Sequence, residues 1–188
     1  LGIGSTEIQA KAVMLRYANF FPPVHPISKL GEQWGKEIEK RTNGQVKVEC
    51  YPGGSLVSAP ETFEAVKIGM ADVGLSFCSY TKGRFPLTEV LDLPLGYKNA
   101  YVATRMANAN FEKFKPAGFN DVKLVYLHTS PPHRINMKMP VRALEDLKGR
   151  KIRSTGTSAE VVEALGGAPV SMSMGEAYVE VLIDRLMG

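Results

Sequence analysis

At 188 residues, 44% apolar and 22% charged, the chain has the composition of an ordinary globular protein, long enough for one large domain or two small ones. Its net charge of +4 comes from scattered basic residues, with no run that interleaves Arg with aromatics, which argues against nucleic-acid binding and suits attraction of a small anion. No apolar run reaches the ~20 residues of a membrane span. Two cysteines, Cys50 and Cys78, make neither a disulfide framework nor a metal set, and His25, His128 and His133 lack ligand spacing, so no metal and no cofactor are expected.

Residues 1–12 lack the long apolar core of a signal peptide and read as a flexible lead-in. Val13–Ala18 is short, apolar and β-prone, a first strand. The prolines at 22, 23 and 26 forbid helix before Pro26, which suits a helical first turn. A helix is predicted over 26–42, with Ile27, Leu30, Trp34 and Ile38 on its apolar face, ended by Asn43-Gly44. Residues 45–51 alternate strictly as a second strand with Val46, Val48 and Cys50 on one face, so the opening is β-α-β with a parallel sheet. After the Pro52-Gly53-Gly54 turn come a short helix over 60–68 and a third strand over 71–77.

Residues 90–94 read as extended, 99–114 as a helix and 122–128 as a strand. Thr129-Ser130-Pro131-Pro132 reads as a hinge into a second lobe. There a short helix over 143–148 stops at Gly149, a strand follows over 150–153, and a helix starts near Ser158, with Ser and Thr available as caps. A last strand spans 168–172, and 179–187 supports a helix. The organisation is α/β, with lobe one at 13–128 and lobe two beginning at 129.

No nucleophile elbow, Walker loop or dinucleotide fingerprint is present, and Gly53-Gly54 is better read as a turn than as a phosphate loop. Cys78 has no histidine placed beside it and reads as structural; Asp92 is the one acid to test for a transferase-like reading. Arg153 ends a strand one turn before a helix, where open α/β sheets bind anionic ligands. A surface ion pair with a nearby glutamate is its other reading. Phe20, Phe21, Phe77 and Tyr80 fall at strand ends, as core or as a pocket wall on the C-terminal rim facing Arg153. His133 and Arg134 beyond the hinge suit either hinge packing or ligand contact, and Met172 and Met174 follow the last strand.

Several stretches carry a resemblance. LRYANFFPPVHPISKLGEQWGKEIEKRTNGQVKVECYPGGSL, ETFEAVKIGMADVGLSF, RFPLTEVLDLPL and MPVRALEDLKGRKIRSTGTSAEVVEALGGAPVSMSMGEAY, together spanning about 13–178, resemble the DctP-type solute receptors of tripartite ATP-independent periplasmic (TRAP) transporters. The resemblance implies a periplasmic-binding-protein type II-like two-lobe architecture. It implies a non-enzymatic periplasmic receptor that captures an organic acid and delivers it to the membrane subunits of a TRAP permease. It makes Arg153 the carboxylate partner, His133 a second polar contact, and Phe20, Phe77, Ser79 and Met174 pocket-lining residues. Their aromatic character favours an aromatic or apolar acid.

The chain departs from the family in ending at Gly188, where members continue, and in VEVLIDRLMG, which lacks the family's usual ending of that helix. The expectation is a second lobe cut short, with exposed apolar surface. A receptor of another transporter class with the same two-lobe fold remains the alternative.

Overall fold

The computed structural model describes residues 11–131 and 133–182. They fall into two compact units, one through Leu75 and one from Ser76. The expected hinge at 129–132 lies inside the second unit.

In the first unit, β1 (Val13–Ala18) is central in a three-stranded sheet. It pairs in parallel with β2 (Val46–Tyr51) over its whole length, Val13 opposite Val46 and Ala18 opposite Tyr51. On its other side lies β3, only Val73–Gly74, also parallel. The third strand is shorter than the predicted 71–77 because β1 runs out: the Ala18 carbonyl accepts the last ladder N–H, from Leu75. At the other end Asp72 adds a rung, its Oδ2 accepting the Arg16 backbone N–H at 2.8 Å and Arg16 Nε at 3.0 Å.

α1 (Pro26–Arg41) crosses between β1 and β2, with Pro26 in its first turn and His25 Nδ1 accepting the Ile27 N–H. Its face differs from expectation. Leu30 and Trp34 are 59% and 37% exposed, and the buried positions are Ser28, Gly31 and Gly35. A Cβ on Gly31 would lie 2.4 Å from Tyr17 Cε1, and one on Gly35 would lie 3.0 Å from Val48 Cβ. The helix thus approaches the sheet through its smallest residues, filled by the large side chains of the strands.

Asn19 ties the strand end to the helix. Its buried Nδ2 donates to Ser28 Oγ at 2.8 Å, its Oδ1 accepts the Phe21 N–H, and Ser28 Oγ donates to the Phe21 carbonyl. Gly53 and Gly54, both at positive φ, donate their N–H groups to Phe21 and Asn19 carbonyls, a turn as predicted. α2 (Thr62–Lys67) covers the sheet through Ala65, packed with Ala18 and Ala71.

In the second unit, α3 (Pro86–Glu89) leads into a 3-10 turn at Val90–Asp92, which takes the first three residues of the stretch expected to be extended. Pro86 sets the first helical φ, and Glu89 Oε1 accepts the Gly83 and Phe85 N–H groups, satisfying the helix start that an apolar pattern alone does not reveal. α4 (Ala100–Phe114) is capped by Asn99, whose Oδ1 accepts the Val102 N–H. Phe119 packs between Phe85, stacked at 4.5 Å, and Phe111.

Residues 122–128 pair with no strand among the described residues. Their end is tied to α4 by side chains: Asn108 Nδ2 donates to the Leu127 carbonyl at 2.9 Å, and Thr104 Oγ1 accepts the Thr129 N–H. Beyond them, β4 (Lys151–Arg153) and β5 (Ala168–Val170) form a parallel pair joined by α5 (Thr157–Ala164), and α6 (Met174–Leu182) follows. Ile152, Leu147 and Val162 make the core of this β-α-β element. Residues 183–187 of the expected last helix lie outside the described residues.

Candidate functional site

Alternation along β4 decides where its side chains go: Ile152 is buried and Arg153, next to it, takes the other face at the strand's C-terminal end. Arg153 is half-buried. Its Nε and Nη2 both donate to the Met172 carbonyl, at 3.0 and 2.8 Å. Nη2 also reaches the Tyr80 hydroxyl at 3.4 Å. No carboxylate among the described residues forms an ion pair with it, so the glutamate reading of the sequence is not the one realised.

The Met172 carbonyl is itself held in place. Ser173 and Glu176 form a reciprocal cap on α6, Glu176 Oε2 accepting the Ser173 N–H at 2.7 Å and Ser173 Oγ accepting the Glu176 N–H at 3.3 Å. Those bonds hold the Glu176 carboxyl below its usual range. The cap is written in the sequence as Ser-Met-Gly-Glu.

A second segment meets Arg153 from Phe77 to Tyr80, whose last three residues form a 3-10 turn. Phe77 lies 5.7 Å from Tyr80 and 6.5 Å from His128, ring to ring. Burial pushes the Tyr80 phenol up, opposed by Arg153 and by the Met174 backbone N–H. Ser79 rests against the turn after β4: Thr155 Oγ1 lies 3.4 Å from Ser79 Oγ, and a Cβ on Gly156 would come within 2.9 Å of Ser79 Cβ. Gly156, at φ 54° and ψ −136°, is the N-cap of α5 and offers no side chain, so the Ser or Thr cap expected there is absent. Lys82 pairs with Glu160 on the same helix.

His133 bridges hydroxyls, its Nδ1 3.0 Å from Ser158 Oγ and its Nε2 3.3 Å from Ser130 Oγ. Both ring nitrogens are occupied. Burial pushes the Asp92 carboxyl up, with His133 opposing, and it pushes the Cys78 thiol up to about 12, Asp92 and Glu89 adding to the effect. Such a thiol is protonated at neutral pH and suits packing rather than attack.

Of the residues picked from the sequence, Arg153, Phe77 and Ser79 share this neighbourhood, and Met174 joins it through its backbone while its side chain is half exposed. His133 reaches it through Ser158. Phe20 belongs to the first unit, where it is 4% exposed and packs on Phe21, part of that unit's core. Tyr80, expected on the rim facing Arg153, does meet it, through a hydrogen bond the sequence did not specify. No cluster of metal-ligating side chains occurs among the described residues.

Residues 17–181 match the profile of the bacterial extracellular solute-binding proteins of family 7, DctP. The chain belongs to that family. A TRAP periplasmic solute-binding protein from Desulfovibrio salexigens, solved with the C-terminus of a symmetry mate in its ligand-binding site, is 36% identical over 95% of this chain and 56% of its own, with a TM-score of 0.72. A TRAP solute-binding protein from a marine metagenome, specific for aromatic acid ligands and holding meta-hydroxyphenylacetate, is 27% identical over 94% of this chain and 57% of its own, with a TM-score of 0.86. A solute-binding protein of Chromohalobacter salexigens is 26% identical over 93% of this chain and 53% of its own. The chain thus spans about half the length of the relatives it matches. Its α/β architecture is that of the two-lobe DctP receptors.

Proposed function

We propose that this DctP-family chain carries the carboxylate-binding part of a periplasmic receptor that captures an organic acid, without transforming it, for the membrane subunits of a TRAP permease. The observation that carries this reading is Arg153: half-buried, oriented by a backbone carbonyl, and paired with no acid among the described residues. A guanidinium so placed keeps Nη1 without a hydrogen bond among the described residues, and a carboxylate supplies that partner through charge-assisted hydrogen bonds. The side-chain-free start of α5 beside it favours negative charge as well.

Tyr80 and Phe77 give the neighbourhood aromatic surface, which supports an aromatic acid, as does the relative specific for such ligands. In this reading Phe77, Ser79 and Met174 line the site and His133 reorients from one of its serines to reach the ligand. Lobe one runs over 13–128 and lobe two starts at 129, so the Tyr80–Arg153 and Ser79–Gly156 contacts bridge the lobes.

Calorimetric titration of the chain with benzoate, meta-hydroxyphenylacetate and aliphatic acids tests this. Arg153→Ala leaves a desolvated carboxylate unpartnered and costs about 2–5 kcal/mol of binding. Arg153→Lys recovers only part, because an ammonium cannot hold the Met172 carbonyl and the Tyr80 hydroxyl in one plane while still facing a carboxylate. Equal affinity in parent and Arg153→Ala overturns the reading, as does a parent that binds no acid.

A further inference from the structure

If Arg153 binds the ligand carboxylate, the way its guanidinium is held decides which of its nitrogens does so. A guanidinium has two edges that can grip a carboxylate: the side-on edge of Nε and its neighbouring Nη, and the end-on edge of the two Nη groups. In this chain the side-on edge is already in use, Nε and Nη2 converging on the Met172 carbonyl at 3.0 and 2.8 Å. That carbonyl is anchored by the Ser173–Glu176 cap. Nη2 also donates to the Tyr80 hydroxyl, at 3.4 Å, so the end-on edge is half engaged as well, and Nη1, with no hydrogen bond among the described residues, is the nitrogen left open to a ligand.

We propose that Tyr80 is a positioning residue: with the Met172 carbonyl it fixes the Arg153 guanidinium so that Nη1 meets the ligand carboxylate. This role rests on the carboxylate-binding function proposed for Arg153. The carbonyl holds one edge, and rotation about that contact is stopped by the hydroxyl on Nη2. The phenol ring is fixed in turn by Phe77 and by the turn in which it sits. A phenol is neutral at neutral pH, and burial pushes this one further up, so it orients the cation without competing with the ligand as an anion. A long side chain ordered before binding does not lose that freedom on binding.

The test is Tyr80→Phe, which keeps the ring and its packing and deletes one oxygen. With the guanidinium nitrogen-labelled, NMR of the ligand-free chain follows rotation of the Arg153 Nη groups, its signals assigned by their loss in Arg153→Ala. Titration with benzoate follows affinity. Tyr80→Phe is expected to speed Nη rotation before any ligand is added and to weaken benzoate binding about three- to tenfold, the scale of ordering one long side chain. In an Arg153→Ala background the same change should add nothing further. Unchanged rotation, unchanged affinity, or an equal loss in the Arg153→Ala background each overturns the proposal; the last would mean that the hydroxyl acts on the ligand directly. If Arg153→Ala itself leaves benzoate affinity unchanged, the carboxylate reading fails instead, and the rotation measurement still judges the Tyr80 contact.

Discussion

Asp72 collects three hydrogen bonds from one residue: the Arg16 backbone N–H and Nε on Oδ2, and Nη2 on Oδ1 at 3.4 Å. The side-chain bond from Arg16, then the backbone one, holds its carboxyl below the usual range. A depressed carboxyl contributes stability above its unfolded value, near pH 4, and loses it as pH falls through the lower folded value. The pair is partly exposed, so the contribution is small. Asp72→Asn should lower the melting temperature of the first unit by about 1–3 °C at pH 7, with the gap closing toward pH 2; a gap that persists at pH 2 would show that shape rather than charge matters. Cys78 gives a second check at this scale. Its thiol, at about 12, should react with a disulfide reagent at pH 8 far more slowly in the folded chain than in denaturant, where both free cysteines label fully. Arg153 was legible because position at a strand's C-terminal end is a matter of local pattern. The rim carrying Tyr80, 73 residues earlier, was legible as facing it, but their hydrogen bond was not, since nothing local to either residue encodes it.

Whole elements were legible where a period and its punctuation agreed. β1, α1 and β2 stand within a residue of their predicted bounds, and β4, α5 and β5 keep their order. What failed was the packing face of α1. A period of apolar side chains points to a buried stripe, but here depth is set by what is missing, and Gly31 and Gly35 admit Tyr17 and Val48. Glycine to alanine inside a helix usually gains ~0.5–1 kcal/mol. Gly31→Ala should reverse that sign, costing ~1–3 kcal/mol by urea denaturation, because its Cβ meets a ring held in the sheet. A gain would show that α1 lifts away freely. Gly156 and Gly149 make a matched pair, both at positive φ, but only Gly156 faces a neighbour, Ser79. Gly149→Ala should cost ~1–2 kcal/mol from the backbone alone, and Gly156→Ala distinctly more; equal costs would mean that the Ser79 segment yields.

Across the molecule, large apolar side chains are exposed in both units, and one such stretch has no strand partner among the described residues. Val125 is 71% and Tyr126 54% exposed, on a segment that joins neither sheet among the described residues. Open strand backbone with apolar side chains is a template for a second copy. The chain should therefore associate with rising concentration in sedimentation velocity, and Val125→Lys should shift it toward monomer. A parent that stays monomeric at high concentration counts against this.

The order β2-β1-β3 also bears on how the first unit is assembled in time. Its central strand is the earliest in the chain, and each flank is filled by a strand that comes later. Residues 13–51 already hold a six-residue ladder and a covering helix, whereas β3 adds two paired residues and the Asp72 rung. Amide exchange would accordingly be slowest between β1 and β2. β3 would be the last strand to dock and the first to fray, and acid, by protonating Asp72, would loosen that edge before it touched the rest of the sheet.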